Sequence, residues 1–298
     1  MALHGITRAD MAAVNLPRRK AVNRLMEGLT WLAAIVGVAL LVIIVWSVAR
    51  RAWGALNLDL FTKDQVLFAI GPVHQGLRNA FVGSLVLVGL ATAMALPVGI
   101  LIAIYLTEYA RPWIRSSVSL VLDVLNGIPA IVVAIFVFGL FVVGHGQSGY
   151  AGAFALACLM LPLVARSVME VLLLVPRSLR EASLGLGVPR WRTVLAIVLP
   201  QAMGGIITGA VLAIARIAGE TAPLLFTSSI VGTQISWDAS HALQSIPVAI
   251  FELSESPDPA DHSRAWAGAF VLLMFILLLS LSARWLAARS RSRISTSR

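Results

Sequence analysis

Apolar residues run along this chain in long unbroken blocks, without the alternation of a half-buried strand or the one-sided stripe of a surface helix. About six blocks reach the ~20 residues that a helix needs to cross a hydrocarbon layer. They lie near residues 29–48, 80–106, 118–143, 151–175, 204–226 and 265–286. The pattern predicts an all-α polytopic membrane protein whose membrane domain covers residues 29–286, preceded by a segment over 1–28 and followed by a basic tail over 287–298. Pro97 with Gly99, the Asn126-Gly127-Ile128-Pro129 run and Pro162 punctuate the blocks. Backbone groups freed by such residues need neighbouring helices or a wet cavity. Pro162, Arg166 and Glu170 interrupt the fourth block, so its tail is readable either as span or as an amphipathic helix on the membrane surface.

The polar residues between the blocks set an orientation. With the N-terminus inside, the inner segments hold Arg8, Arg18, Arg19, Lys20 and Arg24, then Arg111 and Arg115, then Arg166, Arg177, Arg180, Arg190 and Arg192, then the tail from Arg284 onward. The outer segments hold few basic residues: Arg50, Arg51, Lys63, Arg78 and Arg264. The positive-inside rule therefore puts both termini in the cytoplasm and the acidic stretch over 231–264, with Asp238, Glu252, Glu255, Asp258 and Asp261, outside.

Composition agrees with this reading. Of 298 residues 59% are hydrophobic and 12% charged, with mean hydropathy +0.89, whereas about a quarter of a soluble domain's residues are charged. The formal net charge of +9 follows from topology and gives no reason to expect nucleic acid, because the basic residues flank apolar blocks instead of lining one face. The single cysteine, Cys158, lies inside a block and reads as packing. The first block is too long for a signal-peptide core and lacks a small-residue cleavage site, so it reads as a retained span. His74, His145, His241 and His262 have no metal-ligand spacing.

The polar segment over 176–200 carries the most information. Ser178 reads as the cap of a short helix with Glu181 in its first turn, and Gly187 followed by Pro189 ends that helix before a second begins. Ala182, Ser183, Gly185 and Gly187 are small enough for another surface to approach the backbone, and Arg190, Trp191 and Arg192 supply anchors at the membrane boundary.

Glu181-Ala182-Ser183, then Gly187, then Ile197, Leu199 and Pro200 resemble the EAA loop of ABC importer permeases, with Ser183 in place of the third-position alanine. The resemblance implies a type I importer permease fold (MetI-like). It also implies that Glu181, Ala182, Ser183 and Gly187 couple the spans to a dimer of ATP-binding cassette subunits. No Gly-x-x-x-x-Gly-Lys-Ser/Thr loop is present, so ATP is expected on that partner and no cofactor in this chain.

Arg216-Ile217-Ala218-Gly219-Glu220-Thr221-Ala222-Pro223-Leu224 marks a second site. Arg216 falls roughly 24 Å beyond Pro200 at about 1.5 Å per residue, in the outer part of the fifth block. Ionisable residues at such depth mark transport paths by default. On a continuous helix Arg216 and Glu220 share a face, which leaves two readings open, a planar donor fork serving an anion or an ion pair that neutralises itself.

The Arg-x-x-x-Glu-Thr-Ala-Pro-Leu string resembles the permeases of the phosphate-specific transport system. Further matches are Tyr105-Leu106-Thr107-Glu108-Tyr109, Gly127-Ile128-Pro129, and Leu161-Pro162 with Arg166 and Glu170. Ile246-Pro247-Val248-Ala249-Ile250-Phe251 is similar to the PstA type rather than its PstC partner, and Ala130 departs from the serine common after Gly-x-Pro. This resemblance implies a non-catalytic subunit of an inner-membrane importer of inorganic phosphate. Arg216, Glu220 and Thr221 would stand on the pathway, with Arg166 and Glu170 as secondary candidates. A PstC-like permease, the ATPase dimer and an extracytoplasmic phosphate-binding protein would be the partners within the lipid bilayer. The competing expectations are a permease for molybdate or sulfate, which shares the EAA loop but not the Gly-Glu-Thr-Ala-Pro string, and a secondary transporter, which has no use for the loop.

Overall fold

The computed structural model describes residues 16–65, 75–229 and 235–295, and every regular element among them is helical. The chain divides into two units, Met1–Arg50 and Arg51–Arg298. The first consists, among its described residues, of the body of α1 (Leu16–Ala52), which starts well before the first apolar block. Arg8, His74 and residues 231–234 of the acidic stretch lie outside the described residues.

The second unit holds α2 (Asp59–Thr62), α3 (Arg78–Ile104), α4 (Pro112–Gly127), α5 (Ala130–Val137), α6 (Gly149–Leu174), α7 (Arg177–Gly185), α8 (Arg190–Thr193), α9 (Leu199–Ile217), α10 (Ala222–Thr227), α11 (Ile246–Glu255) and α12 (Pro259–Ser295). Wider π-helical turns extend α3 over Tyr105–Tyr109 and α5 over Phe138–Val142, and join α8 to α9 over Val194–Val198. Five helices among the described residues are long and apolar enough to span a membrane: Arg18–Ala55, Arg78–Tyr109, Gly149–Leu174, Arg190–Ile217 and Pro259–Trp285. A sixth span exists if α4 and α5 are taken together, although they meet at 95°. Ile128 and Pro129 are extended at that bend, as expected where proline bars its predecessor from the helical region.

The centre of the bundle is α3 against α6. On α3, Gly83, Leu87, Ala91, Ala95, Gly99 and Ala103 are buried four residues apart, making one ridge of mostly small side chains. From Leu87 onward the ridge packs in one core with Leu156, Met160, Val164, Val168 and Leu172 of α6, none of them exposed. Small residues let membrane helices approach closely, which matters because lipid gives apolar side chains no reason to prefer protein. A Cβ on Gly99 would stand 2.8 Å from Val164 Cγ1. The same device packs α9 on α6, where Gly205 and Gly209 face Val171 and Ser167.

Three expectations change. The fourth block does not turn onto the surface: α6 runs unbroken through Pro162 to Leu174 and is the most buried helix among the candidate spans. Proline there needs only one backbone partner to be replaced, and Arg166 finds a counter-charge on α4. The fifth span is shifted, starting at Arg190 and ending at Ile217 instead of running over 204–226. The acidic stretch is not loop throughout, since α11 buries Ile246, Pro247, Val248, Ala249 and Leu253, beginning at an N-cap where Ser245 accepts from the Val248 amide.

Candidate functional site

The EAA segment folds as two short helices across a tight turn. Pro176 occupies the N-cap position of α7, so Ser178 lies inside the helix and does not cap it; Glu181 accordingly falls past the first turn. Proline is tolerated there because the first helical amides have no partner in the helix anyway. After Gly185, Leu186 leaves the helix and Gly187 takes φ +78°, a conformation that costs a side-chain-bearing residue about 1–2 kcal/mol. Pro189 then starts α8. Beyond it, Pro200 has no N–H for the carbonyl of Ala196, and the ladder widens so that the Leu199 amide donates to Val194 O.

This geometry splits the small residues between two faces. Glu181, Ala182, Gly185 and Gly187 are exposed, nothing stands within 4 Å of where a Cβ on either glycine would be, and Leu186 is 84% exposed beside them. Leu184, 43% exposed, adds a second apolar side chain to the same open turn. Ser183 is on the other side. It is buried, and its Oγ lies 2.9 Å from Thr193 Oγ1, tying α7 to α8 across the turn, so the sequence-based placing of Ser183 on the approachable surface is corrected.

Arg180 also faces inward. Its Nε donates to Glu108 Oε1 and Oε2 at 3.1 and 3.2 Å, Nη2 to Glu108 Oε1 and Leu172 O at 2.8 Å each, and Nη1 to Val175 O at 2.6 Å. The two side chains are only 18% and 10% exposed.

At the other end of α9 the helix stops at Ile217, and the amides of Gly219 and Glu220 close a turn on Arg216 O and Ile217 O at 3.2 and 3.1 Å. Glu220 is therefore not stacked one helical turn above Arg216. The described residues contain no ion pair between them, which removes the shared helix face. Arg216 is exposed and Glu220 and Thr221 partly so, with Thr221 O accepting from the Leu224 and Leu225 amides to open α10. The segment after α10 is pinned, because Ser228 Oγ donates to Leu243 O at 3.0 Å and accepts from its amide at 2.8 Å. Arg166 and Glu170 separate as well. Arg166 pairs with Asp123 of α4 and donates to Ser119 O, whereas Glu170 is exposed and unpaired among the described residues.

Comparison with known proteins decides the family. The family described as binding-protein-dependent transport system inner membrane component matches residues 95–294. The phosphate transport system permease protein PstA of Haemophilus influenzae is 39% identical over 270 residues, covering 89% of this chain and 94% of the relative. The chain belongs to the PstA permeases. Solved structures agree on the fold: a chain of a bacterial alginate ABC transporter superposes with a TM-score of 0.63 at 16% identity, covering 92% of this chain and 98% of its own. A chain of the MetNI methionine ABC transporter gives 0.54 at 18% identity over 71% of this chain and 93% of its own. These match the expected all-α, MetI-like importer fold. As in this family generally, the chain is a non-catalytic membrane component with the ATPase on a separate subunit.

Sequence reasoning missed a further feature of this PstA permease, a buried polar network at the end of the bundle away from α7. Asn79 Nδ2 donates to Gln244 Oε1 at 2.7 Å, and Gln244 Nε2 donates to Gln65 Oε1 at 2.8 Å and Glu252 Oε2 at 3.3 Å. Ser229 Oγ donates to the other Glu252 oxygen at 3.3 Å. Burial pushes the Glu252 carboxyl above the ordinary range, opposed by the hydrogen bonds from Gln244 and Ser229. Asn79 and Gln244 both stand in mixed polar segments, next to Arg78 and Ser245, so the sequence carried no clear signal for this network.

Proposed function

We propose that this permease imports inorganic phosphate across the bacterial inner membrane as half of a translocation pathway, the other half being a PstC-like permease. Energy comes from an ATP-binding cassette dimer docked on the exposed face of α7, through Glu181, Ala182 and Gly187, and phosphate is delivered by an extracytoplasmic binding protein against the 231–264 stretch. Both termini and α7 are cytoplasmic in this reading, which the distribution of Lys and Arg supports. The cargo follows from the Haemophilus relative.

In the geometry, the observation that carries the proposal is Arg216. Its guanidinium ends a span on the side away from α7, exposed on this chain alone and with no ion-pair partner among the described residues. Such exposure suits a pathway formed between two permeases, and the planar fork suits phosphate oxygens. Phosphate uptake by the complex reconstituted with its ATPase, second permease and binding protein tests the cargo, with molybdate and sulfate as competitors. Arg216→Gln should lower uptake at least tenfold and Arg216→Lys keep part of it. Because no Arg216–Glu220 pair exists to be broken, adding Glu220→Gln should not rescue Arg216→Gln; substantial rescue would restore the ion-pair reading.

A further inference from the structure

We propose that Arg180 and Glu108 form the rigid link that carries displacement of α7 into the α3–α6 pair, so that Arg180 is a positioning residue for transport. The inference rests on reading α7 as the ATPase-docking helix and adds the part that takes the load. Arg180 points away from the docking face and joins three elements at once. Its own backbone belongs to α7, Glu108 belongs to the π-helical turn that ends α3, and Leu172 O and Val175 O lie at the end of α6. The last carbonyls of a helix keep acceptor capacity, Leu172 O taking the Val175 amide at 3.3 Å besides Arg180, and a cation there also meets the negative end of the helix dipole. Among the described residues Arg180 is the one side chain of α7 hydrogen-bonded to α6 or to the extension of α3.

Three features make the junction stiff. The guanidinium is planar and its donors are fixed relative to one another, so holding both Glu108 oxygens and two carbonyls defines its orientation. Both charges are largely removed from water, where loss of one partner leaves the other uncompensated. Beyond it, α3 and α6 interlock through the four-residue ridge of small residues, so a push at Glu108 and Leu172 moves both helices together. The Ser183–Thr193 contact is a separate and weaker tie toward α9, one neutral hydrogen bond against a charge-assisted cluster. Exchanging the charges should not restore the link, because a carboxylate at position 180 would face the Leu172 and Val175 carbonyls.

The test compares the reconstituted complex carrying Arg180→Gln or Glu108→Gln with wild type for co-purification of the ATPase, ATP hydrolysis and phosphate uptake per ATP hydrolysed. The link predicts that assembly and hydrolysis persist while uptake per ATP falls at least tenfold. In a Cys158→Ser background, Arg180→Cys with Glu108→Cys should behave like the single variants until bridged by a bifunctional methanethiosulfonate reagent. Uptake per ATP then recovers, and reductant removes it again. Unchanged uptake per ATP in Arg180→Gln overturns the proposal, as does a bridged complex that hydrolyses ATP without regaining uptake. Should the glutamine variants fail to assemble, the bridged complex decides on the same two outcomes. Absence of uptake by wild type counts against the cargo and not the link, which is also read without substrate. Spin labels at Ser178→Cys and Tyr109→Cys should keep one separation with and without ATP, and only the added Arg180→Gln should let it change; a separation that changes without that substitution rejects the link.

Discussion

Replacing Gly83 by alanine is conservative on paper and should be among the most damaging single changes in the bundle. Gly83 lies on the buried ridge of α3, and a Cβ there would stand 2.0 Å from the backbone oxygen of Gln244. That oxygen is not free to retreat. The Gln244 side chain is held by Asn79 and Gln65, the Leu243 amide and carbonyl are held by Ser228, and the Ile246 amide donates to Ser84 Oγ at 2.8 Å. Relief by shifting helices costs about 1–3 kcal/mol of overpacking. Relief by moving the Gln244 segment instead breaks at least one buried hydrogen bond, at about 1–3 kcal/mol. By either route the expected loss is about 1–3 kcal/mol, a fall in Tm of several °C for a chain of this size. Gly89→Ala is the control, since Gly89 is exposed on the same helix with nothing within 4 Å of its Cβ position, and alanine there should be neutral or gain up to about 1 kcal/mol. Thermal denaturation of detergent-solubilised protein, followed by fluorescence-detected size exclusion, compares the two. A Gly83→Ala protein with the stability of Gly89→Ala would show that the Gln244 segment yields freely and that the packing argument is wrong.

At the α7–α8 turn, Gly187→Val should cost about 1–2 kcal/mol locally and weaken ATPase co-purification, whereas Gly187→Asn, at home at positive φ, should retain most of it; equal loss in both would make the open surface, not the backbone, the requirement. A cysteine at Ser254 should react with a membrane-impermeant thiol reagent in intact spheroplasts and one at Ser178 should not, and the reverse pattern would invert the proposed orientation. The raised Glu252 carboxyl favours the fold while protonated, so its contribution is full below the ordinary value of 4.5 and is lost as pH rises through the higher folded value. Glu252→Gln should therefore raise Tm at mildly alkaline pH, with the margin closing near pH 4.5, and a margin independent of pH would contradict this.

What could be read in advance, and what could not, divides along the reach of each interaction. Span existence and the EAA turn depend on neighbours within a few residues, and a hydrophobic block or a Gly-x-Pro stop shows itself there. Span ends were less legible because apolar character continues past the helix: residues 222–226 are as hydrophobic as α9, yet Gly219 and Pro223 mark a stop, and hydropathy outweighed them. The Asn126-Gly127-Ile128-Pro129 run announced a break but not its 95°, since the angle depends on what α5 packs against, chiefly α10 and α6.

Pairs distant in sequence were hidden altogether. Arg166 was weighed with Glu170, four residues away, and the structure gives it Asp123, 43 residues away on another helix. Glu108 appeared within a family string and Arg180 at the edge of the loop, 72 residues apart, with nothing in either segment to connect them. The same logic separates the two arginines that matter most in this fold. Arg180 uses both Glu108 oxygens and the carbonyls of Leu172 and Val175, so it can transmit motion but has little left to offer an anion. Arg216 keeps its charge unpaired among the described residues, so it can meet an anion but holds no helix in place. If that division is right, the two substitutions should fail differently, Arg180→Gln by hydrolysing ATP without proportionate uptake and Arg216→Gln by losing uptake with the α7–α3 separation still fixed. A moving α7–α3 separation in Arg216→Gln would mean that the two ends of the bundle are not independent and would count against assigning one arginine to each task.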